Sequence, residues 1–91
     1  MTNVEKLTKF IADNKLDFDA TGSSLNSAFV ALSGYSLFTG ANEEEVRNVL
    51  EATESLTSME LKEFDRVYDY SKKNNYGEWW KKEEAKKMYK F

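Results

Sequence analysis

The sequence predicts an all-α fold: a compact bundle of four to five short helices around one central apolar helix at about 25–39. Three observations predict it. Pro is absent from all 91 residues, which suits helices joined by short connections and not a loop-rich or β-rich chain. Apolar residues recur at helical spacing in one segment after another, most of them opened by a capping residue. The stretch Leu25–Phe38 carries no charge, while everything around it is heavily charged. Ninety-one residues bury a little over ~60% of the surface their unfolded chain exposes, enough for one modest core without room for an elaborate internal site. Residues 1–91 are therefore read as a single helical domain with a basic, aromatic C-terminal segment at 76–91.

The first helix opens at Thr2 or Asn3. Thr2 followed three residues later by Glu5 has capping-box spacing. Val4, Leu7, Phe10 and Ile11 then form an apolar face, and Asn14 is a natural stop. The connector 15–24 contains Asp17, Asp19, Thr21 and Gly22 at the spacing that opens a calcium loop. The pattern then fails, because Ala28 stands where the bidentate Glu belongs and Ser24 where an apolar residue belongs. The simpler expectation is that Leu16 and Phe18 enter the core, Gly22 turns the chain, and Ser23 or Ser24 caps the next helix.

In the central helix, Leu25, Phe29, Leu32 and Phe38 mark one stripe, which Ala28, Ala31 and Tyr35 broaden. A helix apolar over most of its girth is enclosed by its neighbours. Gly34 inside it costs about 1 kcal/mol relative to Ala, a cost that close packing by another element justifies. Gly40 ends the helix.

The third helix is capped by Asn42, and Glu43, Glu44 and Glu45 offset the positive N-terminal end of its dipole. Three successive side chains on a helix point in different directions, so these carboxylates do not converge on an ion. Val46, Val49, Leu50 and Thr53 face the core. The turn Ser55-Leu56-Thr57-Ser58 leads into a fourth helix with Thr57 and Glu60 as its capping box. Its stripe is Leu61, Phe64, Val67 and Tyr68, with Met59 and Tyr70 nearby. Lys72 and Lys73 suit its last turn, and Asn74-Asn75-Tyr76-Gly77 reads as its stop. Residues 78–91 read as a fifth helix, with Trp80, Ala85 and Met88 or Tyr89 on one face.

Composition narrows the functional classes. Cys and His are both absent. There is no thiol chemistry, no disulfide framework, and neither the commonest general base nor the commonest transition-metal ligand. The four Gly are scattered and form no phosphate loop. The expectation is a protein that is not an enzyme and holds no metal or cofactor. No apolar run reaches the ~20 residues of a membrane span, and the N-terminus has no signal pattern, so the expected setting is a reducing cytoplasm without membrane attachment.

Recognition remains. Residues 1–69 hold six Lys/Arg and thirteen Asp/Glu, whereas residues 70–91 hold seven Lys and three Glu. In the C-terminal segment Trp79, Trp80, Tyr89 and Phe91 interleave with Lys81, Lys82, Lys86, Lys87 and Lys90. Trp79, Trp80, Lys81, Lys82, Lys86, Lys87, Tyr89 and Phe91 are the expected partner-binding residues. Aromatic anchors of this kind serve protein interfaces. The alternative is a binder of nucleotide or single-stranded nucleic acid, through base stacking and phosphate contact. The competing structural role is that one Trp closes the core while the lysines solvate its rim. Asp13, Asp17, Asp19 and the carboxylates at 43–45, 51, 54, 60 and 63 offer a second, acidic surface, and a second copy of the chain is a further candidate partner. Frequent Lys, Asn, Tyr and Phe, with Pro, His and Cys missing, is a composition common among small bacteriophage proteins. The expected function is accordingly a small non-catalytic protein-binding module, of the kind a phage encodes to inhibit or modulate a host protein.

Overall fold

Three helix starts carry complete capping boxes. In the computed structural model, which describes residues 1–53 and 56–89, α1 spans Asn3–Asn14, α2 Ser23–Thr39, α3 Glu43–Ala52, α4 Ser58–Lys73, α5 Tyr76–Trp79 and α6 Glu83–Met88. Thr2 accepts from the Glu5 N–H at 3.2 Å, and Glu5 accepts in return from the Thr2 N–H at 3.1 Å. Asn42 with Glu45 repeats the arrangement at α3, and Thr57 with Glu60 at α4. Each box satisfies two backbone donors that a helix end leaves open. The architecture is all-α, as the pattern predicts. Among the described residues there is no strand, and no helix is long and apolar enough to cross a membrane.

α2 is the centre. Ala28, Phe29 and every residue from Ala31 to Ser36 are buried, so its surroundings and not its amphipathicity hold it in place. It packs most extensively against α4 and α5. Phe29 meets the Phe64 ring at 5.5 Å near the start of α2. Gly77, four residues beyond the end of α4, lies against Leu37 near the end of α2. Both contacts hold only if α2 and α4 run in the same direction. α3 runs against them, because Glu43 at its start pairs with Lys72 at the end of α4, while Arg47, one turn on, pairs with Asp65. α1 completes the layer by stacking Phe10 on Tyr35 with centroids 4.1 Å apart. Leu7, Phe10, Phe18, Leu32, Val46, Leu50 and Phe64 belong to one continuous core.

Three details depart from the sequence reading. First, α2 is not capped by a serine. Gly22 occupies the N-cap with φ +66° and makes no side-chain bond, a conformation glycine reaches without the penalty other residues incur; Ser23 and Ser24 fall inside the first turn. Second, Val4, Met59 and Tyr70, assigned to or near apolar stripes, are exposed, Met59 at 81%. Third, the C-terminal segment is not one helix. It breaks into α5 and α6 at residues 80–82, because Trp80 turns into the core while the lysines after it stay in water.

Gly34 has its physical reason in that break. A Cβ built on Gly34 would lie 1.8 Å from Nε1 of Trp80 and 2.6 Å from its Cδ1. Trp80 is only 1% exposed and is the largest fully buried side chain. The indole presents its Nε1 edge to the glycine and is enclosed by Phe10 at 5.5 Å, Tyr35 at 6.0 Å and Tyr89 at 4.6 Å. Ser33, Ser36 and Ser71 are also fully buried. Ser36 donates back to the Leu32 carbonyl, whereas the Ser33 and Ser71 hydroxyls have no hydrogen-bond partner among the described residues. Small size is what these positions contribute to the helix crossings.

Two outcomes follow from this packing. In an ordinary helix interior Gly→Ala gains about 1 kcal/mol. Here the added methyl meets a rigid, enclosed ring, and overpacking of this kind costs about 1–3 kcal/mol. Gly34→Ala is therefore expected to destabilise in denaturant titration, and to become neutral or stabilising in a Trp80→Ala background, where the obstruction is gone. The pH profile of stability should be level through neutrality and fall at both ends. Burial raises the phenols of Tyr35 and Tyr68 above their ordinary value of 10.0, so their contribution is complete below pH 10.0 and is lost as pH rises through the folded values. The carboxyl of Glu5 is held below its ordinary 4.5 by hydrogen bonds from Thr2, and that of Glu63 by its bond to Arg66. Their contribution is present above 4.5 and is lost as pH falls through the lowered values. Thermal melts across the pH range check both limbs.

Candidate functional site

The C-terminal segment returns across α2 in the opposite direction to α4, and the two leave a cleft between them. Its walls are Val30 of α2, Asn74 at the end of α4, Tyr76 and Trp79 of α5, and Trp80; its volume is about 430 Å³. The local sequence produces this geometry. Asn75 takes a left-handed conformation with φ +56° and reverses the chain after α4. Gly77 then lets α5 approach α2 closely: a Cβ there would lie 3.0 Å from the Leu37 Cβ and 3.1 Å from its carbonyl carbon. Gly77 is thus a close-approach residue and not part of the helix stop, which falls to Asn74 and Asn75.

The lining is aromatic and uncharged. Trp79 stands at 81° to Trp80 with centroids 5.2 Å apart, so the two indoles form a corner. Tyr76 meets the exposed Tyr70 edge to face at 5.9 Å. Burial, then its hydrogen bond with Tyr70, raises the Tyr76 phenol above its ordinary value. The Asn74 amide donates to the Tyr70 carbonyl at 2.8 Å, leaving its side-chain oxygen as an acceptor beside the aromatic walls.

The expected partner-binding residues divide into distinct groups. Trp80 is core: its contribution to the cleft is a wall, and the ring is not presented to solvent. Trp79 and Tyr89 are half-buried, and both touch Trp80. Lys81, Lys82, Lys86 and Lys87 are exposed. Lys81 pairs with Glu78 at 3.0 Å and Lys86 with Glu83 at 3.5 Å, so half of this charge already has an acidic neighbour. Phe91, together with Lys90, lies outside the described residues. Sequence reasoning did not select Val30, Asn74 or Tyr76. Val30 precedes Gly34 by one helical turn, so the glycine that marks a close approach marks Val30's face as well.

Other chemistry-bearing residues have local uses. Asp17 accepts from the Asp19 N–H at 2.9 Å, a turn stabilised by its own side chain. Among the described residues no group of three or more Asp and Glu gathers to hold a metal ion. A polar hollow lined by Glu43, Arg47, Asp65, Tyr68 and Asp69 is spanned by the Arg47–Asp65 pair. Lys72 bonds to Glu43, which holds its ammonium above its ordinary value, and sits 5.5 Å above the Tyr68 ring.

The two tryptophans should separate cleanly on substitution. Trp80→Ala is expected to cost about 3–5 kcal/mol, as deletion of a buried aromatic does. Trp79→Ala should cost no more than about half of that and leave helix content intact, since its ring is only partly enclosed. Circular dichroism during denaturant unfolding measures both. Comparison of the chain with protein-family models, with curated proteins and with solved structures finds no match.

Proposed function

We propose that this protein is a small non-catalytic binding module whose recognition surface is the cleft beside Trp79, and that its partner is another protein. The observation that supports this most is the corner formed by Trp79 and Trp80 with Tyr76 and Val30. Half-buried Trp79, braced at a right angle by the core indole of Trp80, makes with Tyr76 and Val30 a preformed apolar socket for an aliphatic or aromatic side chain. Rigid aromatic residues of this kind dominate the energetics of protein interfaces. The Asn74 oxygen and the Tyr76 hydroxyl supply the few polar groups that orient an extended segment. The partner is modulated by occupancy of the cleft, whose described lining is apolar but for Asn74 and the Tyr76 hydroxyl.

Nucleotide or single-stranded nucleic acid is the weaker reading. Stacking on Trp79 suits a base, but phosphate contact needs lysines free to give up their counter-charge. Lys81 and Lys86 are each beside a glutamate, and the acidic body opposes a polyanion.

Wild-type protein, Trp79→Ala and Met59→Ser should be compared as baits under identical conditions. A specific protein retained by wild type and by Met59→Ser, and lost with folded Trp79→Ala, is the expected result. Retention of the same protein by all three would sink the cleft as its binding surface. Titration with oligothymidylate and with ATP, followed by tryptophan emission, should show no salt-sensitive quenching.

A further inference from the structure

We propose that the notch at Gly34 is an exchangeable site, and that its second occupant is the same C-terminal segment of another copy of this chain. Exchange of residues 76–89 between two copies gives a closed twofold dimer. The inference does not depend on what the cleft binds.

The hinge is the first observation that carries it. Only Asn74 and Asn75 separate α4 from α5. Both are exposed, and Asn75 sits at φ +56°, a left-handed conformation that is unfavourable for residues other than glycine. The turn is held locally: the Asn74 N–H and side-chain amide both donate to the Tyr70 carbonyl, and the Asn75 N–H donates to that of Lys72. The attachment of the segment is the second. Among the described residues its ion pairs, Lys81–Glu78 and Lys86–Glu83, lie within it, so they move with it and do not tie it to the body. What seats it is apolar: Trp80 and Ala85 are buried, and the Tyr89 ring meets Phe10. The notch is the third. A Cβ on Gly34 would overlap the indole, 1.8 Å from Nε1, so α2 carries a recess that fits this one ring. Every copy of the chain has the same recess and the same tryptophan.

A segment that swings out alone leaves the largest buried ring in water and a void behind it. A second copy with its own segment out removes both defects, because it presents an identical notch. The contacts beyond the hinge are then remade between chains, and the closed monomer and the exchanged dimer differ chiefly at Asn75. Short hinges under strain favour this exchange. It also divides the cleft between chains: Val30 comes from one copy, and Trp79 and Trp80 from the other.

The test unfolds the full chain in denaturant, refolds it dilute and concentrated, and measures its size by chromatography with light scattering. Wild type is expected as monomer from dilute refolding and as a monomer–dimer mixture from concentrated refolding. The dimer should outlast dilution, because its return to monomer requires Trp80 to leave the core. Asn75→Ala, which penalises the left-handed turn, should raise the dimerisation constant on the order of tenfold over the two hinges, and Asn75→Gly should lower it. A second arm refolds Gly34→Leu together with Trp80→Ala. In closed monomers the first has an obstructed notch and the second an empty one. In the exchanged pair the intact tryptophan meets the intact glycine, and the two altered side chains share the other notch. Native mass spectrometry should find the mixed dimer in excess over either variant's own. Monomer at every concentration, in wild type and in Asn75→Ala, overturns the proposal. So does a dimer indifferent to both Asn75 substitutions, or a mixture without the mixed dimer, since chains joined only by a surface do not complement each other in this way.

Discussion

The contact between the Trp80 indole and Gly34 is the constraint on which the rest of this structure depends. Trp80 is the largest fully buried side chain, and it comes from the end of the chain, not from the central helices. It reaches α2 only because Gly34 has no side chain there. Everything downstream follows from seating that ring. The segment after α4 must reverse at Asn75, pass Leu37 closely at Gly77 and stop being helical at Trp80 so that the indole turns inward. Phe10, Tyr35 and Tyr89 then close around it, joining α1, α2 and the C-terminus through one aromatic cluster. An aromatic pair adds about 0.5–1.5 kcal/mol beyond its buried area, so this cluster contributes cohesion as well as volume.

Electrostatics has a smaller part in holding the fold. Among the described residues the ion pairs Arg47–Asp65, Arg66–Glu63, Lys72–Glu43, Lys81–Glu78 and Lys86–Glu83 all join side chains with substantial solvent exposure. Exposed pairs of this kind contribute roughly 0–1 kcal/mol each and weaken with salt. Their role is better seen in register: Lys72–Glu43 and Arg47–Asp65 are the two pairs that tie α3 to α4 in opposed directions. The capping boxes do more for the helices individually, because each satisfies backbone donors that would otherwise be left open at a helix start.

Local chemistry made most of the helices legible in the sequence. Thr2, Asn42 and Thr57, each with Glu three residues on, mark three starts that the structure reproduces, and Gly40 marks the end of α2. These signals are short-range, so a sequence carries them complete. The C-terminal segment was not legible in the same way. The spacing of Trp80 and Ala85 put both on the inward face, and both are buried, but nothing within the segment says that the helix breaks at residues 80–82. That is decided by Gly34, which is remote in sequence, and by the reversal at Asn75. The same holds for Gly22, whose backbone conformation displaces the two serines that look like better caps. The cleft itself is tertiary: Val30 and Asn74 come from helices that only the fold brings together, and neither carries a local sign of a site.

A consequence of this construction is that recognition and stability share a wall. Trp80 borders the cleft while its ring completes the core, so the shape of the socket is fixed by the same contact that holds the C-terminal segment in place. Such a site is preorganised, and a partner has little ordering to impose on it. It is also restricted. Trp80 cannot change without a large loss of stability, and Gly34 cannot gain a side chain without moving Trp80. Variation in specificity is therefore confined to the part of the cleft that the core does not own: Trp79, Tyr76 and Asn74. The uncharged helix at the centre of the chain and the charged aromatic segment at its end are thus one device, in which the first sets the depth of the cleft and the second supplies its edge.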